Sequence, residues 1–483
     1  MPLILPGNVA SATAGAYEVA NSCRFNDGDS AYMSKTSTTQ TSQRKCTISC
    51  WIKRGDLGVD ATIFTLGASA GSTIYAYFKS DGTLEVYGTT SGTAINLRTN
   101  AIYRDPAAWY HLVIAIDTEQ GTAANRVKIY INGVQNTSLQ STTYPAEDLD
   151  FASLATSQTY YVGSLYGPQQ YFDGYLAEFV FIDGLQLAAT SFGEFDSDSP
   201  TIWKPIDVSG LTFGNNGFYL DFEASANLGN DANGGTDLTE TNIAAVDQCT
   251  DSPTNNFCVM NPLDKYWGSW TLSNGNNTVS ATNAAYVPIR ATVGLTAGKW
   301  YWEVEFDAWS GTGQQALIGI CATDRTGSAS GNGLAEHAYD YAYLDYDGKI
   351  YGPSNANASY GNTYTTGDII GVYLDLDNNK LYFGKNGTIQ ASGTGFSIVA
   401  AASTTLGCYF PAVSDWTSNG YATFKCNFGS GQFGDTALSS AVADANGFGQ
   451  FEYDPSDGGG SSFDSAAKDF LAICSANLGS DGG

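Results

Sequence analysis

The most constraining feature is the alternation of large and polar residues in short runs cut by turn dipeptides. In Gly298–Asp307, GKWYWEVEFD, the residues Trp300, Trp302, Val304 and Phe306 fall on one side of an extended chain. Tyr301, Glu303, Glu305 and Asp307 fall on the other. A period of two belongs to a strand with one face in a core. The same writing recurs in Thr47–Lys53, Ile74–Lys79, Thr83–Tyr87, Trp109–Asp117, Arg126–Ile131 and Asp368–Asp377. Asp81-Gly82, Asn132-Gly133, Asp347-Gly348 and Asn378-Asn379 stand between such runs and predict tight turns. The 55 glycines and 13% aromatic content agree with many short strands rather than helices.

Length then demands more than one sandwich, because 483 residues exceed a single core of this kind. The break is Asp251–Leu263, DSPTNNFCVMNPL. Pro253 and Pro262 remove backbone donors there, and Asn255 and Asn256 favour turns. The expected fold is therefore all-β, with two jelly-roll-like β-sandwiches joined by an irregular connector. The expected divisions are an extended arm over 1–20, a sandwich over 21–196, a connector over 197–285, a second sandwich over 286–435 and a tail over 436–483. A short helix is expected around Ala188–Phe195, and Gly217–Phe222 is expected to add an edge strand.

Acidic residues outnumber basic ones 48 to 21, for a net charge of −27. Such a surface repels phosphate backbones and anionic lipid, which argues against nucleic acid and membrane-surface roles. No apolar run approaches the roughly 20 residues of a membrane span, so no membrane insertion is expected. The nine cysteines are widely spaced and include no CxxC pair. Cys46 and Cys50 on one strand would lie roughly 13 Å apart, too far for a disulfide. Reduced, buried thiols made in a reducing cytoplasm are expected.

Three resemblances follow. The ordered blocks RFNDGDSAYM, ISCWIKRG, WYHLVIAID, VKIYINGV and FDGYLAEFVFIDG resemble a laminin-G or concanavalin-A-like jelly roll. The blocks GKWYWEVEF, IGICA, GDIIGVYLDLDNNKLYFGKNGT, YFPAVS and CNFG resemble a SPRY domain. Between them IWKPIDVSGL, NGFYLDF, LGND, TNIAAVDQ and DSPTNNFCVMNPL resemble a connector in structural proteins of tailed, especially marine, phages.

The first resemblance implies a binding scaffold, often for sugars and often with calcium near loop acids. Asp27, Asp29, Asp173 and Glu178 are the matching carboxylates, which suit a hard cation; turn capping explains the same aspartates. The second implies a binding module without a catalytic set. The connector resemblance implies a virion protein, and with the two binding domains it implies a virion surface protein, a tail fibre, spike or adhesin that binds host-surface glycan, in contact with other virion proteins and present as a homo-oligomer or in many copies. A head decoration or head-fibre protein without a receptor role is the alternative. Loop residues suited to a sugar are Tyr166, Tyr171, His337, Tyr339, Tyr360, Tyr364, Trp416 and Asn419, since aromatic rings stack on pyranose faces. No catalytic residue is expected. Glu303, Glu305 and Asp307 share a strand face as glucanase acids do, but their order, Glu-Glu-Asp, departs from Glu-Asp-Glu. A Ser-His-Asp site has only His111 and His337 to draw on, neither beside a GxSxG elbow.

Overall fold

In a computed structural model the chain divides into the units Thr13–Thr254 and Asn255–Gly483. The boundary falls inside the Pro/Asn-rich Asp251–Leu263 stretch. The structure describes residues 17–265, 270–282, 288–323, 333–353, 357–416, 420–456, 463 and 469–481. Most of the arm over 1–20, Asn419 and the glycine run at 458–460 lie outside them. The described fold is nearly all-β, with 46% strand and 6% helix.

The first unit is a pair of sheets. One is built in the order Val134–Gln135, Val127–Ile131, Trp109–Asp117, Lys45–Arg54, Gly174–Asp183, Ser22–Phe25 and Gln248–Cys249. The other runs Leu139–Thr143, Thr93–Ile102, Thr83–Thr90, Ser72–Phe78, Ala61–Ser69, Thr159–Val162, Tyr32–Thr36 and Thr239–Thr241. Ile48, Cys50 and Ile52 of one sheet meet Phe64, Ile74, Ala76 and Val86 of the other in the core. Asn132 and Gly133 both take positive φ, 48° and 78°, as the two-residue hairpin between Val127–Ile131 and Val134–Gln135 requires.

The first sheet is covered on its other face too. Trp51, Trp109, Val113 and Tyr175 pack there against Phe192, Trp203, Val208, Phe213 and Tyr219. The region over 197–285 is thus divided: its part up to Thr254 is a layer on the first sandwich, and the remainder belongs to the second unit. Phe218–Leu220 joins the sheet by pairing with Phe179–Phe181, just past a bulge in Gly174–Asp183 at which Glu178 has φ of 49°. The helix expected at 188–195 is only a 3-10 turn, Ala189–Ser191, followed by Gly193–Phe195 paired with Trp203–Pro205. The indole of Trp203 lies against Gly193 so closely that a Cβ would fall 2.6 Å from it, so a larger side chain does not fit there without the ring moving.

In the second unit one sheet runs Met260–Lys265, Pro288–Ala291, Phe410–Asp415, Ala316–Cys321, Tyr341–Leu344, Lys349–Tyr351 and Asn357–Ser359. The other has Lys299–Gly311 between Gly420–Asn427 and Ile369–Asp375, continuing to Lys380–Lys385. Trp300, Trp302, Val304 and Phe306 enter the core between the sheets. The opposite face of Lys299–Gly311 is not open to solvent. Tyr301, Tyr373 and Tyr382 are capped there by Phe451, Phe463 and Phe470 from the C-terminal segment. Leu471–Ala472 pairs in parallel with Trp300–Tyr301, and Cys258 donates its amide to the Ile473 carbonyl. The described part of the tail is therefore core material of this unit, because its phenylalanines have an aromatic face to bury.

Candidate functional site

The residues singled out as chemistry in the sequence are mostly spent on structure. His111 is buried, with Ser49 Oγ 2.9 Å from Nε2 and the Trp203 Nε1–H donating to Nδ1 at 2.9 Å. An indole nitrogen can only donate, so Nδ1 is the acceptor and the proton sits on Nε2. His111 then donates to Ser49 and cannot take its proton. Burial pushes its pKa down to about 3. A Ser-His nucleophile is excluded at this position by the tautomer alone.

The glucanase-like strand face fails for a different reason. Glu303 is fully buried, and both its oxygens are filled. Oε1 accepts from the Tyr301 hydroxyl at 2.9 Å and the Tyr453 amide at 2.8 Å. Oε2 accepts from Asn427 Nδ2 at 3.2 Å and the Glu452 amide at 3.0 Å. Burial outweighs these donors and raises the pKa to about 7. Asp307 is paired with Lys425 at 3.0 Å. The C-terminal segment occupies the place a sugar would need.

The four proposed calcium ligands do not converge. Asp173 is buried with its Oδ2 unpartnered, close to Asp27, whose amide donates to it, and burial pushes its carboxyl well up. Asp29 is bound by Asn26 Nδ2 at 2.6 Å. Glu178 sits on the bulge, where Tyr17 and Tyr219 hydroxyls donate to it at 3.0 and 2.8 Å, and burial raises its pKa to about 7. No group of three or more His, Cys, Asp or Glu side chains among the described residues is placed to hold a metal. Calcium wants six to eight oxygens, and this set does not offer them together.

The loop aromatics separate into three groups. Tyr360 packs edge-on to Phe383 and accepts its amide at 3.1 Å, and Tyr364 is fully enclosed with its hydroxyl on the Ala316 and Tyr343 carbonyls. Tyr364 is a core residue rather than a loop contact, and Tyr360 is half-buried with its ring packed against the same core. Trp416 donates to Glu336 Oε1 at 2.9 Å and stands edge-on to Tyr351 at 5.0 Å, beside the turn that carries half-buried His337 and Tyr339. Tyr166 and Tyr171, half-buried, flank a larger feature that the loop-based reading missed.

That feature is the outer face of the second sheet in the first unit. Cross-strand partners there form one line, Ser34–Tyr161–Thr65–Tyr75–Tyr87–Asn96. A parallel line runs Thr62–Tyr77–Glu85–Arg98. Partners directly opposite share a face, so these side chains stand together, away from Ile74, Ala76 and Val86. Tyr75 lies 5.3 Å from Tyr77 and 5.5 Å from Tyr87, with the ring pairs tilted at 44° and 45°. Tyr32 lies 6.0 Å from Tyr161 and 6.3 Å from Tyr171. Burial pushes the phenols of Tyr75 and Tyr77 up, so both remain neutral donors. The signal was present in STIYAYF and LEVYG, where tyrosines hold the outward positions of the alternation.

Residues 27–187 match the family described as the concanavalin A-like lectin/glucanases superfamily, in its laminin-G form, and residues 299–430 match the SPRY domain. The chain thus carries a concanavalin A-like domain followed by a SPRY domain, two kinds of domain used mostly for binding. An Arabidopsis thaliana protein, E3 ubiquitin-protein ligase RKP, is 31% identical over 134 residues, 27% of this chain and 10% of that protein. The chain therefore spans only about a tenth of that relative's length. Among solved structures, the SPRY domain of human HERC1 is 18% identical, covering 35% of this chain and 96% of its own, with a TM-score of 0.27. A heptameric SAP-like pentraxin from Limulus polyphemus is 17% identical, covering 36% and 80%, also with a TM-score of 0.27. No helix among the described residues is long and apolar enough to cross a membrane.

Proposed function

We propose that this is a binding protein of a phage particle surface, which engages host-surface glycan through its first sandwich and works without catalysing a reaction. The observation that carries the binding role is the tyrosine-lined sheet face, a polar, ring-rich surface on a domain of a lectin-like superfamily. The particle assignment is supported by the sequence between Trp203 and Leu263, whose wording resembles phage structural proteins. The net charge of −27 suits an exterior position, since it opposes contact with packaged DNA. The SPRY unit is then the contact to other virion proteins. Binding at one copy is weak in this scheme, and display in many copies multiplies avidity.

Antibody raised to the intact protein tests both parts. It should label intact particles and slow their adsorption to host cells. Particles that take no label would refute surface exposure. Label with undiminished adsorption would remove the receptor role and leave a decoration protein.

A further inference from the structure

A lysine is out of keeping with its surroundings at position 53. The outer face of the first sheet is an apolar, aromatic layer, and the direct cross-strand partners of Lys53 are Trp109 and Tyr175 of that layer. The two rings lie 6.4 Å apart, centre to centre, and the Lys53 ammonium is 5.8 Å from the centre of the Tyr175 ring. Asp251 is delivered onto this spot from the end of the unit. Lys53 Nζ donates to Asp251 Oδ2 at 2.6 Å, and the side chains are 1% and 0% exposed. Other lysine–carboxylate pairs of the unit are longer or wetter, such as Lys35–Asp231 at 3.4 Å and the half-exposed Lys45–Glu119. From this juxtaposition we infer a covalent modification: after folding, Lys53 and Asp251 condense into a side-chain amide with loss of water.

The step balances within the pair. One ammonium proton passes along the existing hydrogen bond to Oδ2, leaving an amine and a carboxylic acid. The amine lone pair adds to Cγ, and negative charge develops on Oδ1. Trp109 Nε1–H already donates to that oxygen at 3.0 Å, so the charge forms against a fixed donor. A second Nζ proton goes to Oδ2, the Cγ–Oδ2 bond breaks, and Oδ2 leaves as water. One C–N bond has formed and one C–O bond has broken. Nothing is oxidised or reduced, and no co-reactant is consumed. Burying two charges is costly even when they pair, whereas the amide carries none.

Both partners are held in place beforehand. Lys53 lies on a strand paired on both sides, with Gly174–Asp183 and with Trp109–Asp117. Around Asp251, Ser22 Oγ donates to its carbonyl at 2.6 Å, and Thr254 Oγ1 meets both the amide and the carbonyl of Val19 at 3.1 Å. Groups fixed in contact react with effective molarities of up to about 10⁵–10⁸ M, and a site this buried keeps out the bulk water that would reverse the step.

The bond joins residues 198 apart in the chain. The last strand of this sheet, Gln248–Cys249, is only two residues long and pairs with Ser22–Cys23 at the sheet's edge. An amide at Asp251 ties that short edge to Lys45–Arg54 in the middle of the sheet. Peeling the edge away by heat or by pulling would then require breaking a covalent bond.

The test is the intact mass of the purified full-length protein under denaturing conditions, each species being compared with the mass of its own sequence. Wild type should be lighter by the mass of one water. Its tryptic digest should contain a branched peptide joining the segments that carry Lys53 and Asp251, with no cleavage after Lys53. Lys53→Arg, which keeps the charge on a guanidinium that stays protonated, and Asp251→Ala should each show their full mass. Wild type at full sequence mass would overturn the inference. So would a water loss that persists in both variants, or one that the digest places in another segment. The wild-type mass and the branched peptide are read on the native protein, so the outcome holds whether or not either variant folds.

Discussion

Replacing Glu303 by glutamine should remove a defined part of the protein's pH dependence. Folded Glu303 titrates at about 7, against 4.5 when unperturbed, because burial outweighs its donors. An acid whose folded pKa is raised contributes stability that is complete below the unfolded value and is lost as pH rises through the folded one. The window is therefore roughly pH 4.5 to 7, and a shift of this size corresponds to about 3 kcal/mol. Glutamine cannot ionise, so that component disappears. It also turns one oxygen into an NH2 facing two donors, either Tyr301 and Tyr453 or Asn427 and Glu452. An unsatisfied buried donor costs about 1–3 kcal/mol. The variant should therefore be less stable than wild type at pH 4.5, and the gap should shrink by about 3 kcal/mol on going to pH 8. Guanidinium unfolding of both full-length proteins at stepped pH measures that gap directly. Melting should show it as roughly 6–12 °C of differential shift for a unit of this size. A gap that stays constant across the range would refute the claim that Glu303 is buried, donor-bound and titrating near neutrality.

Other outcomes follow from the remaining buried groups. Lys53 and Asp251 pair at 2.6 Å with almost no exposure, and Trp109 donates to the same carboxylate; Lys53→Met should cost about 3–5 kcal/mol in urea unfolding. His111 should show no imidazole titration by NMR between pH 8 and 4, with its proton on Nε2. The unfolded chain takes that proton near pH 6.5 and folded His111 only near 3, so acidification below about 6.5 should erode stability through this residue. Calcium and EDTA should leave the melting temperature unchanged, because no three of Asp27, Asp29, Asp173 and Glu178 come together to hold a metal; a clear rise with calcium would overturn that conclusion.

The sequence by itself determined the strands, their inward faces, the tight turns and the two kinds of domain. Each of these is written locally. A period of two declares a half-buried strand, and Asn132-Gly133 declares a hairpin because positive φ is cheap there. The inward set Trp300, Trp302, Val304 and Phe306 could be read directly for the same reason.

What the sequence could not carry is which strands become neighbours and what lies over them. Polarity along one strand says that a face is not in the main core; it does not say whether that face meets water or a second layer. Glu303 and His111 both stand on faces that local alternation leaves open. Tertiary packing closes them, with the C-terminal segment over one and Trp203 over the other. Tyr75 and Tyr87 stand on a face that local alternation treats in the same way, and cross-strand register sets them 5.5 Å apart as a half-exposed surface. Register and layer contact are long-range quantities, set by chain segments more than a hundred residues apart in the case of Tyr453 and Glu303. Burial then fixes the chemistry, turning a carboxylate that would be acidic in water into a group that titrates near neutrality, and a histidine into a neutral one.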